Sequence, residues 1–112
     1  MPNTTSLQLL NVEHAEAVHG LELECFPSPW SLKQIRDVMG MDNSLFAGLY
    51  KDEELAGYIS AFAAAREMEI LNVAVGEKWR RLGLGQRLLE LMLKTAREMG
   101  IVDVFLEVRE RS

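Results

Sequence analysis

The 112-residue sequence predicts a single α+β domain over residues 1–112, in the order β-α-α-β-β-β-α-β. The predicted sheet is mixed and mostly antiparallel, with one parallel crossover. Three observations lead there. Two strand-like runs, Ser44 to Tyr50 and Leu55 to Ala65, flank the polar turn Lys51-Asp52-Glu53-Glu54, as in a hairpin. An apolar run, Glu69 to Val75, leads into the glycine-spaced basic loop Arg80-Arg81-Leu82-Gly83-Leu84-Gly85 and then into a helix pattern, Gln86 to Met99. Finally, strands Glu69–Val75 and Val102–Val108 flank that one helix, the signature of a right-handed parallel crossover.

The elements follow in chain order. Ser6 to Leu10 reads as a short strand. Asn11 caps a helix from Val12 to about Cys25, with Ala15, Val18, Leu21 and Cys25 on its apolar face. The prolines of Phe26-Pro27-Ser28-Pro29-Trp30 end that helix. Ser31-Leu32-Lys33-Gln34 is a capping box, and Trp30 with Ile35 is its hydrophobic staple. Leu32, Ile35, Val38 and Met39 form the buried stripe, and Gly40 stops it. After the hairpin, the turn Arg66-Glu67 leads into Glu69–Val75. In the last helix Leu88, Leu89, Met92, Leu93, Ala96 and Met99 make the apolar face, with Glu90 and Lys94 as an i,i+4 pair. Gly100 ends it, and Ile101 to Val108 is the last strand, with Asp103, Phe105, Glu107 and Arg109 opposite Val104, Leu106 and Val108.

Composition narrows the function classes. The chain is 48% hydrophobic, enough for a core, and its single Cys25 excludes a disulfide framework and fits a reducing cytoplasm. Met1 to Thr5 carry neither the basic region nor the apolar run of a signal peptide, and the longest uncharged stretch, Leu55 to Ala65, is too short to span a bilayer. The expectation is a cytoplasmic protein without membrane partners. The net charge of −5 argues against general nucleic-acid binding. Residues 77 to 87 nevertheless hold Lys78, Arg80, Arg81 and Arg87 against Glu77 alone, a local +3 that leaves −8 elsewhere. Confined to a glycine loop, that patch points to a small polyanion; an ordinary solvated cluster is the alternative.

The loop explains why. Glycines bring backbone close to a ligand with no Cβ in the way, and the N–H groups and positive end of the following helix face an anion. A P-loop is excluded, because no Gly-Lys-Ser/Thr follows. A dinucleotide-binding fingerprint fails as well, since Gly83-Leu84-Gly85-Gln86-Arg87-Leu88 lacks the third glycine.

The Arg-x-x-Gly-x-Gly spacing and the element order resemble the GCN5-related N-acetyltransferase (GNAT) family. Phe26-Pro27-Ser28-Pro29-Trp30-Ser31, Asn72-Val73-Ala74-Val75 and Leu106-Glu107-Val108-Arg109 resemble segments of its RimI-like branch, which acetylates the N-terminal alanine of a ribosomal protein. The resemblance implies direct acetyl transfer from acetyl-CoA to a protein N-terminal amine, with no metal. It implies that Val73, Ala74 and Val75, through a bulged strand, and Arg80, Arg81, Leu82, Gly83, Leu84, Gly85 and Gln86 hold the cofactor. It implies Glu107 as the base acting through water. Glu69 is the second candidate base, and Phe26 and Trp30 would wall the acceptor site. Each has a plainer alternative: a solvated or ion-paired strand carboxylate for Glu107, a strand-end residue for Glu69, core valines, and a staple for Trp30. Cys25 is expected buried and inert, and His14 and His19, five apart, do not share a helix face as a metal pair would.

In the family a tyrosine, a helix and closing strands follow the Leu-Glu-Val-Arg segment. Because this chain ends at Ser112, the expectation is a domain lacking those final elements, with Val102–Val108 an open apolar edge that forms a homodimer. A fold that keeps acyl-CoA affinity without turnover is the alternative function.

Overall fold

The protein is described by a computed structural model covering residues 5–106. Five strands form one sheet in sequence order: β1 (Thr5–Leu9), β2 (Ser44–Lys51), β3 (Glu54–Ala64), β4 (Glu67–Val75) and β5 (Asp103–Leu106). Neighbours are antiparallel except β4 and β5, which run parallel. Helices α1 (Ala15–Cys25) and α2 (Leu32–Met39) cover one face, and α3 (Leu84–Glu98) covers the other. The expected α+β order, hairpin and parallel crossover are all present.

Local chemistry sets the helix starts. Asn11 Oδ1 accepts the Glu13 N–H at 2.9 Å, and His14 Nδ1 accepts the Asn11 N–H at 3.0 Å. This reciprocal cap closes a 3-10 turn, Val12–His14, so α1 begins at Ala15, three residues later than predicted. Ser31 Oγ accepts the Gln34 N–H at 3.1 Å and Gln34 Oε1 accepts the Ser31 N–H at 2.8 Å, the expected capping box. Ile35 behind it is fully buried, against the same cluster as half-buried Trp30.

The α3 face differs from the prediction. Only Leu84, Leu88, Met92 and Ala96 are fully buried, a strict four-residue spacing, while Leu93 and Met99 are exposed. Leu93 lies about 100° around the axis from Met92, beyond the reach of the sheet. Glu90 accepts a hydrogen bond from Gln86 Nε2 at 3.2 Å rather than pairing with Lys94. β4 starts at Glu67, because Ala65 turns the chain with φ 55°, leaving Ala65-Arg66 as the turn.

β5 is anchored at its start, where the Val102 and Asp103 N–H groups both donate to the Arg66 carbonyl, at 2.8 and 3.2 Å. Both of its faces are exposed: Val104, Phe105 and Leu106 all reach solvent. Glu107, Val108 and Arg109 lie outside the described residues.

A bulge in β4 positions the site. Ser60 pairs with Asn72 and Ala61 with Ile70, leaving Leu71 as the extra residue. Because side chains alternate with period two, one inserted residue switches the faces. Before it Met68 and Ile70 pack on the α3 side; after it Val73 and Val75 do, and Ala74 joins the α1 side.

Candidate active site

Among the described residues, β5 pairs with β4 from Glu67 to Ile70. Among the described residues, no strand covers the outer edge of β4 from Leu71 to Val75. The Ala74 carbonyl faces β3, 2.9 Å from where a Cβ on Gly57 would sit. Alternation then aims the backbone groups of Val73 and Val75 at the uncovered edge. Both valines, with Glu77, Arg80 and Arg81, line a cavity of about 660 Å³.

The chain leaves β4 through Gly76 and a 3-10 turn, Glu77–Trp79, and enters α3 through two left-handed residues, Arg81 at φ 70° and Gly83 at φ 76°. Gly83 is the N-cap of α3 and has no side chain to cap it. The Arg87 N–H bonds the Gly83 carbonyl at 3.1 Å, so those of Leu84, Gly85 and Gln86 precede the first intrahelical bond. Gly85 is not a packing requirement: a Cβ there would meet only Val75 Cγ2, at an ordinary 3.7 Å. An approaching ligand explains that glycine better than the protein's own interior does. Helix-end N–H groups shortly after Arg81, together with the outward backbone of Val73 and Val75 at the cavity, fit a cofactor with a diphosphate and an amide-bearing arm.

The expected basic patch disperses in space. Arg80 folds back, donating from Nε to the Val75 carbonyl at 3.0 Å and from Nη2 to Cys25 Sγ at 3.4 Å. Cys25 itself donates to that carbonyl at 3.4 Å, so its thiol braces the loop and is no idle core residue. The Glu77 N–H donates to the Glu24 carboxylate, a second tie from α1. Lys78 pairs with Glu54 at 3.2 Å and sits over the Trp79 ring at 4.6 Å. Arg87 lines a different cavity, with Leu49 and Glu90. Arg81 is left as the exposed cation at the 660 Å³ cavity.

Glu69 is elsewhere. It pairs across the sheet with Phe62 and Phe105 and lines a second cavity, of about 550 Å³, with Phe62, Glu67 and Leu106. Four strand residues, roughly 13 Å, separate it from Val73.

The remaining expected residues divide. Val73, Val75, Arg80 and Arg81 come together. Leu82 and Gln86 are exposed, and Leu84 is a core residue that offers only its backbone. Ala74 departs from the expected cofactor set: its carbonyl faces β3 and its methyl lies in the α1 core. Phe26 is 5% exposed in that same core, which removes its ring from any acceptor wall, whereas Trp30 is half-buried. Glu107 lies outside the described residues. No three His, Cys, Asp or Glu side chains gather as a metal site among the described residues.

One polar cluster was not foreseen. Glu22 of α1 is fully buried and accepts hydrogen bonds from the Trp30 N–H at 2.8 Å, from Asn72 Nδ2 at 3.1 Å and from the Tyr58 hydroxyl. The helix pattern held a signal for it. Glu22 is four residues after Val18 and three before Cys25, both on the predicted apolar face.

Comparisons with known proteins identify the family and the fold. Residues 15–111 match the family model described as Acetyltransferase (GNAT) family. A ribosomal protein bS18-alanine N-acetyltransferase of Salmonella typhimurium is 28% identical over 104 residues, 93% of this chain and 70% of that protein. Its counterpart in Escherichia coli K12 is 26% identical over the same shares. The crystal structure of the ribosomal-protein-S18-alanine N-acetyltransferase from Escherichia coli superimposes with a TM-score of 0.89 at 25% identity, covering 95% of this chain and 68% of that one. PaiA N-acetyltransferase from Thermoplasma acidophilum, solved with coenzyme A, has the same fold, with a TM-score of 0.82 at 19% identity over 97% and 82%.

Proposed function

The chain belongs to the GNAT acetyltransferase family and is an N-acetyltransferase, and from that premise we propose that it acetylates the α-amine of a protein N-terminus by direct transfer. The acceptor we propose is an alanine-initiated ribosomal protein, the substrate type named for the bS18-alanine relatives. The observation that carries the reading is the α3 entrance: left-handed Gly83, a glycine at position 85 that packing does not require, and the cavity lined by Val73, Val75 and Arg81 beside it.

Acetyl-CoA, when bound, supplies the acetyl group as a thioester. The chain's own residues bind and orient. The N–H groups of Leu84, Gly85 and Gln86 hold the diphosphate at the positive end of α3, and Arg81 adds charge. Arg80 supports the loop from beneath through its bonds to Val75 and Cys25. The outward backbone groups of Val73 and Val75 align the pantetheine arm. The Val75 carbonyl is occupied by Arg80 and Cys25, so we assign that role to its N–H and to the backbone groups of Val73.

The acceptor must attack as a neutral amine. An α-amine has a pKa of about 7.7–8.0, so roughly a tenth to a fifth is neutral at pH 7 and the rest needs a base. Glu107, the next residue in sequence after β5, is the proposed base through a water molecule. Glu69 is the second candidate, its carboxyl beside Phe62 and Phe105 on the α1 side of the sheet. Trp30 walls the acceptor. We place the reaction in the cytoplasm; no described helix is long and apolar enough to cross a membrane. The exposed Val104, Phe105 and Leu106 support a homodimer paired through β5, which light scattering across a concentration series tests; a monomer throughout contradicts it.

Thiol release with an alanine-initiated peptide, run beside calorimetry with CoA, tests the function. Saturable CoA binding with peptide-dependent thiol release is expected. CoA binding without release overturns the transfer reading in favour of a binding protein.

A further inference from the structure

Glu22 joins four segments through one carboxylate. Oε1 accepts the Trp30 N–H at 2.8 Å, from the link between α1 and α2. Oε2 accepts from Asn72 Nδ2 of β4 at 3.1 Å and from the Tyr58 hydroxyl of β3, and Asn72 Nδ2 also lies 3.1 Å from the Tyr58 oxygen. Filling a core does not call for this arrangement. An apolar side chain of similar volume would occupy the space without the cost of burying a carboxylate. What a carboxylate adds is direction: it fixes the angle and distance of each group that donates to it.

The clamped segments are informative. Asn72 directly follows the bulged Leu71 and directly precedes Val73, which lines the 660 Å³ cavity. Trp30 lies just before the Ser31 cap and packs half-buried on the α1 core. Resting on the acetyl-transfer reading above, we infer that Glu22 is a positioning residue. It ties the α1–α2 link to the bulge of β4, and so sets where the acceptor amine lies relative to the backbone of Val73 and Val75. It acts through Trp30 and Asn72 and touches no reacting atom.

The test is Glu22→Gln in the full chain, read by steady-state kinetics, CoA calorimetry and amide hydrogen exchange. Peptide kcat/KM is expected to fall about tenfold or more, chiefly through KM, because misplacement of a bound reactant is costly. CoA affinity should stay within about twofold, because the loop's ties through Arg80 and Cys25 do not involve Glu22. Exchange at the Trp30 N–H should quicken while that of Ile35, bonded to the Ser31 carbonyl at 3.0 Å, is unchanged. Unaltered peptide kinetics, or an equal loss of CoA affinity, overturns the inference. If Glu22→Gln does not fold, Asn72→Ala takes its place with the same expected and opposing results for kinetics and CoA affinity. If the unaltered chain turns over no peptide, the transfer reading fails by itself. The clamp is then judged on exchange: faster Trp30 exchange with intact CoA binding supports it, and unchanged exchange overturns it.

Discussion

The two sides of β4 are built by different means. On the α3 side, the loop from Gly76 to Gly85 turns on left-handed backbone at Arg81 and Gly83 and meets a helix end with no side-chain cap, with pairwise ties from Arg80, Cys25 and Glu24. On the α1 side, the segment around Trp30 is held by side chains that converge from α1, β3 and β4 onto Glu22. The contrast suits the chemistry proposed for each side. A diphosphate is recognised by N–H groups that any residue supplies, so the cofactor side needs conformation more than residue identity. An acceptor amine must be aimed, and aiming calls for a rigid three-dimensional brace.

Mutations can pull these two modes apart. The largest expected effect is from Gly85→Asp. Position 85 is in the first turn of α3, where an acidic residue favours the helix dipole, and its Cβ meets nothing closer than 3.7 Å. Thermal stability should hold or rise slightly, while CoA affinity falls on the order of 100-fold through repulsion and obstruction of the diphosphate. Calorimetry beside thermal melting checks both, and a parallel collapse of the two would erase the contrast.

Arg81→Gly should move stability and binding in opposite directions. Arg81 holds φ 70° without being glycine, and relieving that conformation stabilises the fold by about 1 kcal/mol. Loss of the exposed charge at the cavity should weaken CoA about threefold to tenfold and flatten the salt dependence of binding. A titration repeated at two ionic strengths reads this directly.

The smallest effect concerns the α1 side at high pH. Burial raises the Tyr50 phenol above its ordinary 10.0. The raised folded value means the unfolded chain gives up this proton first. Its contribution to stability is therefore full below about pH 10 and lost as pH rises through the folded value. In Tyr50→Phe the alkaline limb of a denaturation series should be shallower, and an identical limb in both proteins would contradict it.

The sequence disclosed the cofactor side more fully than the acceptor side for the same physical reason. Arg80 to Gly85 are consecutive, so their conformational demands are written in one short stretch, and the capping box at Ser31 is local in the same way. Glu22 meets Tyr58 and Asn72 across 36 and 50 residues, and no local pattern announces that they touch. Its place on the apolar stripe of α1 was the available clue. Charge counting failed for a related reason. Lys78, Arg80 and Arg87 are close along the chain, but Lys78 turns to Glu54, Arg80 to Cys25, and Arg87 lines a separate cavity. The β4 bulge was expected through the family resemblance alone, because the extra residue, Leu71, is defined by its pairing with β3. Leu93 shows the limit of amphipathic patterning: an apolar residue at the margin of a stripe is buried only where the sheet extends beneath it.

The central claim is that the entrance to α3 and the outer edge of β4 hold one cofactor together. A backbone amide titration with CoA tests it most directly. The amides of Gly83, Leu84, Gly85 and Gln86 should shift saturably together with those of Val73 and Val75, at one common affinity, while Met68 and Ile70 stay still. Saturable binding that leaves the Gly83–Gln86 amides unmoved would contradict the account.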